Sequence, residues 1–233
     1  MSYLYKKWFQ ALTACDIFQG IEQEMLNQML QCLNPTIGSY PKGGVIARAG
    51  EPSAGLGIVL AGSVAVTKES ISGHRTLLVL LGPGDLFGEM EAYAEEAVWP
   101  ATVVAQTGSE VLFLPAEKIV GNCPRQCISH RTLTLNMLKI LSRKAVLLNK
   151  KVDYLILRSL REKIGTYLLE QYRKTGVSTF VLPLKRSELA EFLNVSRPSL
   201  SRELCRMRDE GLIEFHRSAI KIKDLEGLKG LVG

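Results

Sequence analysis

Leu182-Pro183-Leu184-Lys185-Arg186-Ser187-Glu188-Leu189-Ala190-Glu191-Phe192-Leu193-Asn194-Val195-Ser196-Arg197-Pro198-Ser199-Leu200-Ser201-Arg202-Glu203-Leu204 reads as two helices around a tight turn. In the first, Leu189, Phe192 and Leu193 form the buried face, and small Ala190 sits where a second helix must come close. Asn194 falls at the turn, where the backbone visits the left-handed region that Asn tolerates better than most residues. Ser196 is placed to cap the second helix, and Pro198 fits its first turn, where a missing N–H costs nothing. Leu200, Leu204 and Met207 then share one face, leaving Arg197, Ser199, Ser201, Arg202 and Arg206 toward solvent. Arginine forks at the start of an exposed helix suit bidentate contact with guanine in a major groove, and serine hydroxyls suit phosphate or base contacts. Downstream, the run from Gly211 to Ile222 alternates apolar and polar residues across a turn, which predicts a two-stranded wing.

The charge follows this pattern. The 233 residues carry a formal net charge of +6, but residues 1–135 hold nine Lys/Arg against twelve Asp/Glu, and residues 136–233 hold twenty against eleven. An acidic front half and a basic back half predict that the back half meets a polyanion, most simply nucleic acid.

Working toward the N-terminus, residues from about 129 to 151 contain no Gly or Pro, and Leu133, Met137, Ile140, Leu141, Val146 and Leu148 keep a helical period. This predicts a helix of roughly six turns whose apolar stripe is suited to coiled-coil-like dimerisation, with a second helix from about Leu157 to Arg173 and a hinge near Asp153–Leu157. Before it, from Ile37 to about Leu114, short β-rich runs recur at residues 57–60, 64–67, 77–80, 102–105 and 111–114, separated by Gly-rich turns such as Gly82-Pro83-Gly84-Asp85. Many short strands at even spacing predict a small antiparallel barrel or sandwich. The first 33 residues carry apolar side chains at helical spacing and predict short helices.

A hydrophobic fraction of 46% and a charged fraction of 22% match a folded soluble protein, and no apolar run approaches the ~20 residues of a spanning helix. With no secretory signal in Met1–Lys7, the expected location is the cytoplasm, without a membrane partner, and the five cysteines are expected to be reduced thiols. No phosphate-binding Gly loop, nucleophile elbow, zinc-protease helix or acid–base pair in a recognisable context is present, so an enzyme is not expected.

Over essentially its whole length the chain resembles the Crp/Fnr family of bacterial transcription regulators. The resemblance is carried by Pro83-Gly84-Asp85-Leu86-Phe87-Gly88-Glu89, the long helix, and the helix-turn-helix ending Val195-Ser196-Arg197-Pro198-Ser199-Leu200-Ser201-Arg202. It implies an α+β chain: a cyclic-nucleotide-binding-like β-roll sensor over residues 1–128, a dimerisation helix over 129–153, and a winged helix-turn-helix over 154–233. It further implies a homodimer on an inverted-repeat operator in double-stranded DNA, with RNA polymerase a further expected partner and a small-molecule effector gating the switch. Arg186, Arg197, Arg202 and His216 match the family's usual DNA-contacting positions. Pro198 departs from it, since many members place a base-reading Glu there.

Members that bind cyclic AMP hold its phosphate with backbone amides after Phe-Gly-Glu and with an Arg-Ser pair about ten residues on. Here Gly88 and Glu89 stand in place, but the Arg-Ser positions read Trp99-Pro100. Trp carries no charge and Pro no N–H, so a cyclic phosphate would lose its counter-charge, and the expected effector is not cyclic AMP. Another small molecule packing on Trp99, with Asn149 of the long helix reaching in from either subunit, is the expectation. Iron–sulfur members carry a tight N-terminal cysteine cluster, whereas Cys15 and Cys32 stand far apart, and carbon-monoxide-sensing members place haem ligands where this chain has Gly88 and Met90. The alternative sensor is Cys123, Cys127 and His130, a Cys-x3-Cys-x2-His set whose soft ligands suit haem iron, zinc or a redox pair.

Overall fold

The computed structural model describes residues 5–53, 55–70, 75–121 and 128–232. The chain forms two compact units, Met1–Arg143 and Lys144–Gly233.

The first unit opens with α1 (Phe9–Ala14) and α2 (Gln23–Leu33), the short helices that the apolar spacing predicts. Eight strands follow: β1 (Thr36–Tyr40), β2 (Val45–Ala47), β3 (Leu56–Ala61), β4 (Val64–Glu69), β5 (Arg75–Leu81), β6 (Leu86–Phe87), β7 (Thr102–Ala105) and β8 (Ser109–Leu114). They make two four-stranded antiparallel sheets, ordered β1-β8-β3-β6 and β2-β7-β4-β5. The five β-rich runs read from the sequence lie on β3, β4, β5, β7 and β8. The short strands β1, β2 and β6 carry too few apolar residues to stand out without their partners.

Strand β3 shows why its sequence is a nearly continuous apolar run. Side chains alternate between the faces of a sheet, and both faces of this one are covered. Leu56, Ile58 and Leu60 pack with Leu112 and Leu114 under α1, α2 and the start of the long helix. Val59, Val111 and Phe113 point the other way, into a core shared with Val64, Leu81 and Val103 of the opposite sheet. By contrast, β5 is an edge strand, and Leu77, Leu78, Val79 and Leu80 are all exposed.

After α3 (Ala116–Val120), the long helix α4 runs from Ile128 to Ile156. Its stripe is not the single seam that the sequence reading expects. Leu133, Met137 and Ile140 are buried in the core of their own unit, whereas Val146 and Leu148 are exposed. A different row, Leu135, Leu138, Ser142, Ala145, Asn149, Val152 and Ile156, is exposed throughout at heptad spacing. The helix runs on through Ile156, so of the expected hinge near Asp153–Leu157 only Leu157 lies in the break at residues 157–159, ahead of α5 (Leu160–Thr175).

The second unit adds β9 (Thr179–Val181), α6 (Arg186–Phe192), α7 (Arg197–Asp209), β10 (Ile213–His216), β11 (Ala219–Ile222) and α8 (Leu225–Lys229). The wing is three-stranded, in the order β10-β11-β9, rather than two-stranded. Three residues of β9 are too short a run for alternation to mark from sequence, but their register with Ala219–Lys221 places Phe180 opposite Ile220 in the core.

Candidate nucleic-acid interface and effector pocket

Helices α6 and α7 form the turn that the sequence predicts. Asn194 lies at φ 55°, in the left-handed region. Ser196 caps α7, its Oγ accepting from the Ser199 N–H at 3.2 Å, and Pro198 sits in the first turn. Leu200, Leu204 and Met207 are each 0% exposed, which fixes the rotation of α7 about its axis. Arg197 and Arg202 are therefore presented to solvent, with Ser199 and Ser201 half-buried between them. Ser199 does double duty, since its Oγ meets Ser196 Oγ at 2.8 Å and accepts from Arg202 Nη2 at 3.4 Å. His216 is exposed at the end of β10.

Arg186 is placed differently from the other cations. It is half-buried, with its guanidinium 4.8 Å from the centre of the Phe215 ring, and Arg208 approaches the same ring at 5.6 Å. Burial lowers the pKa of Arg186 from its ordinary value.

One feature of this unit is absent from the sequence reading: Tyr154 of α4 is 2% exposed and packs against Tyr167 of α5 and Phe192 of α6, with centroids at 6.4 Å and 5.0 Å. Burial, followed by the nearby Glu170 carboxylate, raises both phenol pKa values, that of Tyr167 to about 12. Glu170 is itself ion-paired with Lys150, one turn before Tyr154 on α4. The aromatic side chain at 154 was the available signal, but the helical period alone does not say which face it takes.

In the first unit, Gly88, Glu89 and Trp99 come together. Gly88 has φ 79°, and a Cβ there would lie 2.6 Å from the Trp99 ring, so the indole lies directly over the turn that follows Phe87. Trp99 is 5% exposed, packs 5.9 Å from Phe87, and is held by its backbone, which donates to Glu51 O and accepts from Gly50 N. Glu89 is 1% exposed, and Pro100 is exposed beside Trp99. Asn149, by contrast, belongs to the second unit and is exposed on α4.

Residues 37–122 match the family model of the cyclic nucleotide-binding domain, and residues 162–231 match that of the Crp-like helix-turn-helix domain. A CRP-like cAMP-activated global transcriptional regulator of Mycobacterium tuberculosis is 25% identical over 225 residues, covering 94% of this chain and 97% of that protein. The cyclic AMP receptor protein of Thermus thermophilus is 26% identical over 209 residues, covering 89% and 92%. The chain belongs to the Crp/Fnr family of transcription regulators. The solved catabolite activator protein of Thermus thermophilus shares its fold, with a TM-score of 0.53 at 24% identity over 93% of this chain and 98% of that one.

As a Crp/Fnr regulator, the chain is a DNA-binding protein with an effector-binding domain. At Trp99-Pro100 the indole is buried and packs over Gly88. Of the alternative cluster, Cys123 and Cys127 lie outside the described residues. His130 is 7% exposed and its Nε2 lies 2.6 Å from the Lys118 carbonyl. A carbonyl only accepts, so Nε2 carries the proton and Nδ1 is the basic nitrogen. Among the described residues, no group of three or more His, Cys, Asp or Glu side chains is arranged to hold a metal ion.

Proposed function

We propose that the chain acts as a homodimer that reads an inverted-repeat operator with one α7 in the major groove of each half-site. Centres about one helical turn apart, roughly 34 Å, suit this geometry. The observation that carries the reading is the orientation of α7: its apolar face is locked at Leu200, Leu204 and Met207, and this commits Arg197 and Arg202 to the open face. In this reading Arg197, Ser199, Ser201, Arg202, Arg186 and His216 contact DNA. Because Pro198 has neither donor nor acceptor on its side chain, base reading falls to Arg197 and Arg202. RNA polymerase is the expected further partner.

The exposed heptad row on α4 supports dimerisation. A seam of this kind buries its a and d positions against a second copy, and a polar Asn among them fixes register and oligomer state at some cost in stability. Asn149 occupies such a position.

For the effector, the buried indole of Trp99 packs over Gly88, and Trp99-Pro100 stand where the family resemblance places the Arg-Ser pair that holds a cyclic phosphate. An anion of that kind would be desolvated without a counter-charge, which is strongly unfavourable. The effector is therefore a small molecule other than cyclic AMP, bound against Trp99. It acts by biasing a pre-existing equilibrium between dimer arrangements that do and do not fit the operator. In the thiol or haem alternative through Cys123, Cys127 and His130, Nδ1 is the His130 nitrogen open to a ligand, because Nε2 donates to the Lys118 carbonyl.

Selection of an operator from random duplexes, followed by quantitative footprinting, tests the reading. Specific binding should fall steeply as salt rises. Arg202→Ala should weaken it by ~1–3 kcal/mol while sparing much of the non-specific binding. Unchanged operator affinity in Arg202→Ala would refute the groove-reading assignment. Saturable micromolar binding of cyclic AMP in calorimetry would refute the effector assignment.

A further inference from the structure

Arg161 stands in the first turn of α5, next to Glu162, whose backbone N–H donates to the capping Ser159 Oγ at 3.0 Å. The N-terminal end of a helix carries partial positive charge and favours acids, so a cation there is misplaced as far as its own helix is concerned. Glu210 has the opposite fault, since it caps the C-terminal end of α7, where the partial charge is negative. The two residues meet. Arg161 Nη1 donates to Glu210 Oε1 at 3.0 Å and Nη2 donates to Glu210 Oε2, a bidentate fork between two helices.

A second carboxylate joins them. Leu200, Glu203, Leu204 and Met207 recur at i, i+3, i+4 and i+7, so Glu203 falls on the inward stripe of α7. Its side chain is only 13% exposed, and its Oε1 lies 3.8 Å from Arg161 Nη1. A carboxylate on an apolar stripe is unfavourable unless a cation accompanies it. Arg161 Nε is buried with no hydrogen-bond partner among the described residues, so the inner edge of the guanidinium is shut off from solvent.

The apolar face decides which side of α7 turns inward. Hydrophobic contact is non-directional, however, and defines the position of a helix along its own axis only weakly. A planar fork on carboxylates defines direction as well as distance. We propose that Arg161 is a positioning residue for α7: by holding Glu203 and Glu210 it sets where along its axis the helix presents Arg197 and Arg202. The inference rests on the groove reading of α7 given above and deepens it. Arg161 lies two residues beyond the break at residues 157–159, so a displacement of the chain at that break passes directly to the recognition helix.

The test measures the affinity of the full-length protein for its selected operator and for a scrambled duplex across a range of salt. The ratio of the two affinities is the readout, because a change of net charge alters both alike. Arg161→Gln should lower that ratio by about fivefold or more, the low end of what one bidentate base contact is worth, with the slope of log affinity against log salt unchanged. Arg161→Lys, which keeps the charge, should recover part of the ratio. Adding Glu203→Gln to Arg161→Gln should cause no further loss, the non-additivity of groups that act as one. Glu210→Gln, at the more exposed end of the cluster, gives the same reading should Arg161→Gln melt below the assay temperature. An unchanged ratio in Arg161→Gln and Glu210→Gln, with Arg202→Ala still impaired on the operator, would overturn the positioning role and leave the groove reading intact. Equal weakening on both duplexes with a slope lower by about one would make Arg161 a phosphate contact and overturn the role as well. Failure of the wild type to bind any duplex would instead remove the function on which the inference rests.

Discussion

Gly88 and Trp99 show how two residues fix the packing of one turn of the roll. Gly88 is needed twice, once for its φ of 79° and once because any side chain would collide with the indole. Gly88→Ala should therefore destabilise the roll by more than the ~1 kcal/mol of an ordinary helix or strand glycine exchange, read as a lower urea midpoint of the first unit. Trp99→Ala removes a large buried ring and should cost about 3–5 kcal/mol in the same measurement. A cost near zero would mean that the ring fills no space in solution. Cys15 is a third residue with a definite chemistry. It is 0% exposed, and burial, assisted by nearby carboxylates, pushes its thiol up to about 12. Alkylation at pH 8 should then label the half-buried Cys32 and Cys205 well before Cys15, since only the thiolate reacts.

At the scale of elements, α4 is one helix with two environments. Its first half supplies Leu133, Met137 and Ile140 to the roll's core, and its last turns supply Tyr154 to the core of the DNA-binding unit. Among the described residues, Tyr154 is the largest of the fully buried side chains. Tyr154→Ala should destabilise the second unit by about 3–5 kcal/mol and lower operator binding through loss of folded α6–α7, with circular dichroism melting as the check. Retained stability would show that the end of α4 is not docked. The long, Gly- and Pro-free stretch makes this helix legible from its sequence. The assignment of its faces is not, because a 29-residue helix carrying apolar side chains on several sides offers more than one stripe.

For the whole molecule, the exposed row from Leu135 to Ile156 is the surface that an assembly would bury. The double variant Leu138→Glu/Val152→Glu should shift sedimentation toward the monomer and weaken operator binding in parallel. A variant that remains dimeric would place the interface elsewhere. The alkaline limb of the stability curve is also set globally. Cys15, Tyr93 and Tyr167 all have pKa values raised to about 12 by burial. Above the unfolded thiol value of ~8.5 and tyrosine value of ~10, the unfolded chain releases these protons while the folded chain keeps them. Stability should thus be flat below pH ~8 and fall as pH rises toward 12, and Cys15→Ala should make that fall shallower in pH-dependent urea unfolding.

The sequence by itself determined the class of each element where local chemistry is decisive. Ser196, Pro198 and Asn194 dictate a cap, a first turn and a left-handed link through steric and hydrogen-bonding rules that need no distant partner. The even spacing of apolar runs and glycine turns likewise made the roll visible, and the basic back half pointed to a polyanion. Only the tertiary structure decided what depends on residues far apart in the chain. It laid Trp99 over Gly88, drew Tyr154 against Tyr167 and Phe192, and added β9 to the wing. Periodicity reports which side of an element is apolar, but contact between elements is set by packing, in which each side chain's neighbours are fixed by the whole fold at once.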